Sequence, residues 1–158
     1  MKSKTFIFGA IVIVVIALAA YYFNSNGAQS SKETIPSGTI TLKAPKGDLS
    51  VFVATSSEDQ EQGLGGRDAM PSDEGMLFAF DQPGSYSFWM QDMNFPLDLV
   101  WVNEDKTVAG LTPDVATSTY PDTFVPPNDV SYVLELNAGV ADKFGIATGT
   151  LLQFEVGN

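Results

Sequence analysis

Two acidic residues interrupt segments that are otherwise apolar, and one arginine is available to pair with them. Asp98 lies within Pro96–Val102, and Glu135 lies within Tyr132–Asn137. An unpaired carboxylate is very unfavourable inside a protein, so each of these acids requires a partner or access to water. Arg67 is the only arginine of the chain, and its planar guanidinium suits bidentate contact with a carboxylate or a phosphate. The three residues are consistent with a structural ion-pair cluster or with a polar ligand site.

The stretch before Asp98 is rich in aromatic residues and methionine. If this stretch is a strand, alternation directs Tyr86, Phe88 and Met90 to one side and Trp89 to the other. Methionine adapts to irregular surfaces, and an aromatic ring offers a flat platform for a glycan or a peptide. Core packing accounts for most of these side chains, whereas Trp89 and Met90 are also candidates for a binding surface.

The chain contains no histidine and no cysteine. Their absence excludes Ser-His-Asp and Cys-His catalysis, thiolate zinc sites and disulfides. A metal would have to be held by oxygen atoms, and the acidic pairs of the chain lack the spacing of a calcium loop. We therefore predict no catalytic residue, no cofactor and no metal. One alternative stays open, because Asp98 with Glu135, or Asp92 with Asp98, would form a glycosidase-like pair if the two carboxylates lay about 5–10 Å apart.

The charge of the chain is acidic and unevenly distributed. Nineteen Asp and Glu side chains against eight Lys and Arg give a formal net charge of −11, which disfavours binding to nucleic acid. Every acid follows the uncharged segment Phe6–Phe23, whereas Lys2 and Lys4 precede it. A helix over this segment would be about 27 Å long, close to the roughly 30 Å of a bilayer core.

By the positive-inside rule, residues 1–23 form a signal anchor of a single-pass cell-membrane protein. The anchor would contact the membrane through residues 5–23, with the N-terminus in the cytoplasm and the remaining chain outside. A cleaved signal peptide is the alternative, because Ala17-Leu18-Ala19 fits a signal-peptidase site and cleavage there would give a secreted protein. Both interpretations export the rest of the chain.

The exported part divides into a tether and one domain. Residues 24–38 are polar and rich in Ser and Gly, which is typical of a flexible tether, and residues 39–158 are long enough for one hydrophobic core. A proline-punctuated loop is expected at Thr112–Asp129, and two short helices at 57–63 and 138–144. Strand-like patterns occur at Thr39–Lys43, Leu49–Thr55, Met76–Phe80, Ser85–Met90, Leu97–Asn103, Thr107–Leu111, Ser131–Asn137 and Leu151–Val156. The pattern predicts a mainly β domain, a small barrel or sandwich with one or two short helices, preceded by an N-terminal transmembrane helix.

Four blocks of sequence occur in the order and spacing of one protein family. They are Gly75-Met76-Leu77-Phe78, Phe88-Trp89-Met90, Pro96-Leu97-Asp98 and Leu134-Glu135-Leu136-Asn137-Ala138-Gly139. Through these blocks the chain resembles the domain of unknown function 192, also called uncharacterised protein family 0127, over roughly Leu49–Phe154. It departs from the family where Gly65 replaces the usual methionine and where Gln91-Asp92 replaces Lys-Asn. The resemblance implies a small, mainly β, barrel-like domain that is often exported, and it implies no activity.

We predict a membrane-tethered extracytoplasmic binding or accessory module whose ligand is an envelope glycan or a protein. A carboxylate-dependent hydrolase of envelope glycan or peptide stays open, and it would need two acids facing one cleft. A structural or assembly partner of another membrane protein also stays open, and it would need an exposed apolar patch away from any pocket. The missing His and Cys favour a non-catalytic role. The binding residues are expected beneath the proline-rich loop and are Arg67, Trp89, Met90, Asp98, Glu135 and Asn137.

Overall fold

The computed structural model describes residues 38–157, and their dominant feature is a six-stranded β-sheet accompanied by two short helices. The mainly β class predicted from the sequence is confirmed. The strands are β1 (Thr39–Ala44), β2 (Gly47–Ala54), β3 (Glu74–Gly84), β4 (Leu97–Val102), β5 (Val108–Val115) and β6 (Val130–Asn137). The helices are α1 (Ser57–Gln62) and α2 (Val140–Lys143).

The strand order in the sheet is β1-β2-β3-β6-β4-β5. Neighbouring strands are antiparallel, except that β2 and β3 are parallel because the chain crosses back through α1 between them. The strand that comes last in the sequence, β6, therefore lies between β3 and β4 in the middle of the sheet.

The sheet is open, which corrects the prediction of a small barrel-like or sandwich-like domain. Its edge strands, β1 and β5, do not pair with each other among residues 38–157. The C-terminal segment reaches both edges through isolated bridges, one between Lys43 and Gln153 and one between Thr107 and Leu151. These contacts protect the edges at two points without forming another strand of the sheet.

Two segments with strand-like alternation form no continuous ladder. Leu151–Val156 alternates because Leu152 and Phe154 are buried in the core while their neighbours are exposed. Ser85–Met90 pairs at one residue only, where Phe88 bridges to Phe124. Alternating burial is the same signal whether or not the backbone pairs, and for this reason the sequence over-predicted strands here.

The sheet buries a separate hydrophobic core on each face. Along β4, alternation places Val100 and Val102 in the first core and Leu97, Leu99 and Trp101 in the second. The first face is covered by α2 and the C-terminal segment, and its core includes Leu49, Val51, Leu77, Leu134, Leu136, Val140, Leu152 and Phe154. The second core includes Ala54, Leu64, Met76, Phe78, Met90 and Val133.

Helix α1 is fixed at both ends and against the sheet. The Ser56 hydroxyl accepts a hydrogen bond from the Asp59 backbone N–H at 3.1 Å, which caps the helix start. The Gln60 amide donates to the carbonyls of Ala54 and Ala79 at 3.1 and 2.9 Å, and so joins α1 to β2 and β3. The helix ends at Gly63, whose φ of 53° favours glycine.

The predicted transmembrane helix and most of the tether lie in residues 1–37, outside the described residues. Within residues 38–157, no helix has both the length and the apolar character required to cross a bilayer.

Candidate functional site

A cleft of about 720 Å³ opens on the second face of the sheet, and we call it the aromatic cleft. Phe78 of β3 and Glu135 of β6 lie at its base, since both project from the strands on this face. Residues 60–66, at the end of α1, form one wall, and residues 86–93, apart from the buried Met90, form the other. Two non-sheet segments and two central strands thus meet in one concave site.

The two walls are joined by one backbone hydrogen bond and, just beyond them, by one hydrogen bond from a side chain. The Gly66 N–H donates to the Asp92 carbonyl at 2.9 Å, and the Asn94 side-chain amide donates to the Arg67 carbonyl at 3.0 Å. Asp92 adopts a left-handed backbone conformation with φ 57°, which Asp tolerates better than most residues. This local geometry holds the glycine-rich turn beside the aromatic segment.

Aromatic rings contribute most of the apolar surface of the aromatic cleft. Phe80 and Tyr86 are stacked with centroids 3.5 Å apart, and Phe88 meets Phe78 edge to face at 4.8 Å. Phe88 also meets the buried Trp101 edge to face at 5.8 Å, which fixes the wall to the second core. Trp89 is 47% exposed and lines the cleft. The site therefore combines rigidly packed rings with one accessible indole.

Glu135 is the polar group at the base of this site. Its side chain is only 5% exposed, and the residue lies between Met76 of β3 and Leu99 of β4 in the register of the sheet. A Cβ atom on Gly63 would lie 3.8 Å from Glu135 Oε2, which places this oxygen beneath the glycine-rich turn. Among the described residues, Oε2 is the one buried side-chain polar atom without a hydrogen-bond partner.

The protonation state of Glu135 is determined by its burial, because no described residue forms a hydrogen bond with its buried oxygen. Desolvation raises the pKa of the Glu135 carboxyl from 4.5 to about 8. The group is therefore mostly protonated and neutral at pH 7. Perturbed carboxyl groups inside clefts are typical of functional sites.

Asp98 does not share this site, contrary to the cluster expected from the sequence. Asp98 pairs with Leu136 across the β4–β6 ladder and Glu135 pairs with Leu99, so the two acids project from opposite faces of the sheet. The Asp98 carboxyl is 1% exposed and accepts hydrogen bonds from the backbone N–H groups of Asp114 and Ala141, at 2.9 and 3.0 Å. Asp98 thus anchors β5 and α2 to the first face.

Arg67 does not join the two acids either. Lys106–Glu155 is the one ion pair within residues 38–157, so the Arg67 guanidinium pairs with neither Asp98 nor Glu135. Arg67 follows the glycine-rich turn but is not among the residues that line the aromatic cleft. The predicted carboxylate–guanidinium cluster is wrong because β-sheet register separates its acids.

The two remaining candidates have packing contacts. Met90 is 2% exposed and belongs to the second core. The Asn137 amide donates to the carbonyls of Met70 and Pro71 at 2.8 and 3.2 Å, so this side chain holds the loop before β3. Of the six predicted binding residues, only Trp89 and Glu135 are brought together by the aromatic cleft.

The sequence reasoning overlooked Phe78 and Phe80 as parts of the site. Alternation along Met76–Phe80 places both residues on one face, but nothing in the sequence indicates that β6 and its Glu135 lie beside that face. The role of the glycine-rich turn as a wall was also missed. Its signal was the run Gly63-Leu64-Gly65-Gly66 directly after a capped helix.

Comparison with known proteins identifies two similar solved structures and one family. The chain is similar to a Sinorhizobium meliloti protein provisionally described as a transcription regulator, with 31% identity, a TM-score of 0.67, and coverage of 73% of this chain and 92% of that one. It is also similar to a Novosphingobium aromaticivorans protein of unknown function, with 27% identity, a TM-score of 0.65, and coverage of 73% and 83%. No curated protein matches significantly. Because residues 40–154 match its family model, described as uncharacterised ACR, the chain belongs to the domain of unknown function 192 family.

Proposed function

We propose that this protein is a membrane-tethered extracytoplasmic binding module whose ligand occupies the aromatic cleft. The observation that carries the proposal is the buried Glu135 carboxyl, which lies at the base of a cleft with one oxygen unpartnered. A buried polar group without a hydrogen bond destabilises a protein. Buried polar groups that lack a hydrogen-bond partner concentrate at functional sites, where a ligand supplies the missing partner.

The composition of the aromatic cleft suits a small ligand or the end of a glycan or peptide chain. Binding sites are concave and mostly apolar, with a few polar groups that orient the ligand. Here the aromatic walls supply the apolar contact, and Trp89 presents an indole at the accessible side. Glu135 supplies a single orienting group at the base.

The position of the acids favours binding over hydrolysis. Both carboxylate pairs considered from the sequence include Asp98, which is on the opposite face of the sheet and accepts hydrogen bonds from two backbone N–H groups, so neither pair can face one cleft as a hydrolase requires. The net charge of −11 also disfavours a direct DNA-binding role as a transcription regulator. A binding role requires neither a second acid nor a basic surface.

A ligand screen on the full-length protein in mild detergent tests the binding role. Compounds and envelope glycan fragments that raise the melting temperature of the wild type are re-tested on Trp89→Ala, and cleft ligands should lose most of their effect. Tyr120→Ala is the matched control, because Tyr120 is an exposed aromatic residue outside the cleft. A screen without hits, or hits that shift Trp89→Ala as much as the wild type, would contradict the proposal.

Export and tethering rest on the uncharged segment Phe6–Phe23 after Lys2 and Lys4. Protease added to intact bacterial spheroplasts should digest the domain and leave a membrane-bound fragment shorter than about 40 residues. Release of the intact domain into the medium would show cleavage instead of anchoring. Protection of the domain until the membrane is permeabilised would contradict export.

A further inference from the structure

The aromatic cleft is lined by three carboxyl groups and by no basic side chain. Glu61 and Asp92 belong to its two walls, Glu135 lies at its base, and no Lys or Arg is among the residues that line it. Arg67 follows the glycine-rich wall in sequence but is outside this lining. A carboxylate or phosphate ligand would find no counter-charge here and would be repelled by the walls.

Aromatic faces and a buried carboxyl are the elements that recognise an organic cation. Ring faces attract ammonium groups electrostatically, with Trp the strongest of them. Trp89 is accessible, Tyr86 and Phe88 lie along the same wall, and Phe80 of β3 lines the cleft next to Tyr86. An ammonium group at the base would also give the unpartnered Glu135 oxygen a charge-assisted contact that no described residue provides.

From this arrangement, and resting on the proposed binding role of the cleft, we propose that the ligand is an organic cation. It is an amine or quaternary ammonium group carried on an apolar body, with Glu135 as its counter-ion and the aromatic walls around its body. A neutral ligand that accepts a hydrogen bond from protonated Glu135 is the competing occupant, and the experiment separates the two.

Binding of a cation should be linked to loss of the Glu135 proton. With a pKa raised to about 8 by burial, the free site carries about 0.9 proton at pH 7, and a cation favours the ionised form. The affinity should therefore rise close to tenfold from pH 6 to pH 7 and level off above pH 8. A neutral ligand that accepts a hydrogen bond from Glu135 needs the protonated form, so its affinity should be nearly constant from pH 6 to pH 7 and should fall above about pH 8.

The other titratable groups around Glu135 are few. Glu61 and Asp92 are in the walls with Tyr86. Glu74 precedes Met76 by two residues on the same side of β3, and Asp98 of β4 projects from the opposite face. Among these groups, Glu135 is the one at the base of the cleft with a buried oxygen that has no partner, so its proton is the one linked to binding of a cation there.

The test uses choline and its neutral isostere 3,3-dimethylbutan-1-ol as probes, with isothermal titration of the full-length protein between pH 6 and pH 8.5. Choline is permanently charged and does not titrate, so any pH dependence belongs to the protein. We expect choline to bind at least tenfold more tightly than the isostere at pH 8, and Glu135→Gln to remove that difference. Glu104→Gln is the control, because it removes the same charge from an exposed turn outside the cleft.

Each result distinguishes the ligand class from the binding role itself. Equal or tighter binding of the isostere, with affinity falling as pH rises, would overturn the cationic ligand while leaving the aromatic cleft as a binding site. Choline binding that persists in Glu135→Gln would overturn Glu135 as the counter-ion. Binding of neither probe, together with a ligand screen without hits, would overturn both proposals.

Discussion

Replacing Glu135 by glutamine should make the protein more stable at neutral pH. The substitution keeps the size and shape of the side chain but removes its ability to ionise. In the unfolded chain the Glu135 carboxyl has its usual pKa of 4.5, whereas burial raises the pKa to about 8 in the native state. Between these values the native state binds more protons than the unfolded state, so the free energy of unfolding falls as the pH rises.

The magnitude follows from the two pKa values. Since each pKa unit is worth about 1.4 kcal/mol, native Glu135 destabilises the protein by about 3 kcal/mol at pH 7 and by about 5 kcal/mol above pH 9. Below pH 4 both states are protonated and the effect vanishes. Glutamine has no such pH dependence, so the gain of Glu135→Gln should be near zero at pH 4 and should grow with pH up to about 8.

Urea denaturation of the full-length protein, followed by tryptophan fluorescence, to which the buried Trp101 contributes, measures this difference at pH 4, 6 and 8. Glu104→Gln is the matched control, because Glu104 is exposed and its removal should change stability by less than about 0.5 kcal/mol at every pH. A Glu135→Gln variant that is less stable than the wild type at pH 8, or whose effect is independent of pH, would refute an uncompensated buried carboxyl at this position.

Three further substitutions test the roles of single residues by urea denaturation. Asp98→Ala leaves the N–H groups of Asp114 and Ala141 without their acceptor and should cost about 2–4 kcal/mol; a loss below about 1 kcal/mol would exclude Asp98 as an anchor. Gly75→Ala should cost more than about 2 kcal/mol, because the new Cβ would lie 2.7 Å from Leu136 Cδ2 and 2.8 Å from a backbone carbonyl oxygen. An unchanged midpoint there would contradict the close β3–β6 packing. Trp89→Ala should change stability by less than about 1 kcal/mol, since the indole is half exposed, and a larger loss would identify Trp89 as a core residue.

Local pattern predicted most of the sheet, and long-range pairing explains what it missed. Six of the eight strand-like segments are strands, and the faces of β4 follow the alternation seen in the sequence. The barrel or sandwich was predicted wrongly because Leu152 and Phe154 alternate like strand residues, whereas their segment only bridges the edges of an open sheet. Alternation reports which side chains are buried, whereas the pairing of this segment depends on Thr107 and Lys43, which are more than 40 positions away.

Prediction of the candidate site depended on strand register even more than prediction of the sheet did. The sequence identified Asp98 and Glu135 as unusual, and both are buried. Whether they share a face depends on the offset between β4 and β6, and a shift of one residue would reverse the answer. Since the two strands are almost 30 residues apart in the chain, no local signal fixes that offset. The structure accordingly separates one acid that holds backbone N–H groups from one acid that faces a cleft.

The central position of β6 has a consequence for how this protein is made. Until Val130–Asn137 has emerged from the ribosome, β3 and β4 each have an unpaired edge and apolar residues on both faces. The chain upstream can form only two incomplete halves, β1-β2-β3 and β4-β5, with nothing between them. Exposed strand edges of this kind favour aggregation, and pairing of distant strands is slow. Synthesis that stops before Val130 would therefore leave aggregation-prone fragments. A chaperone that shields them would matter most while the last 30 residues of the chain are being synthesised.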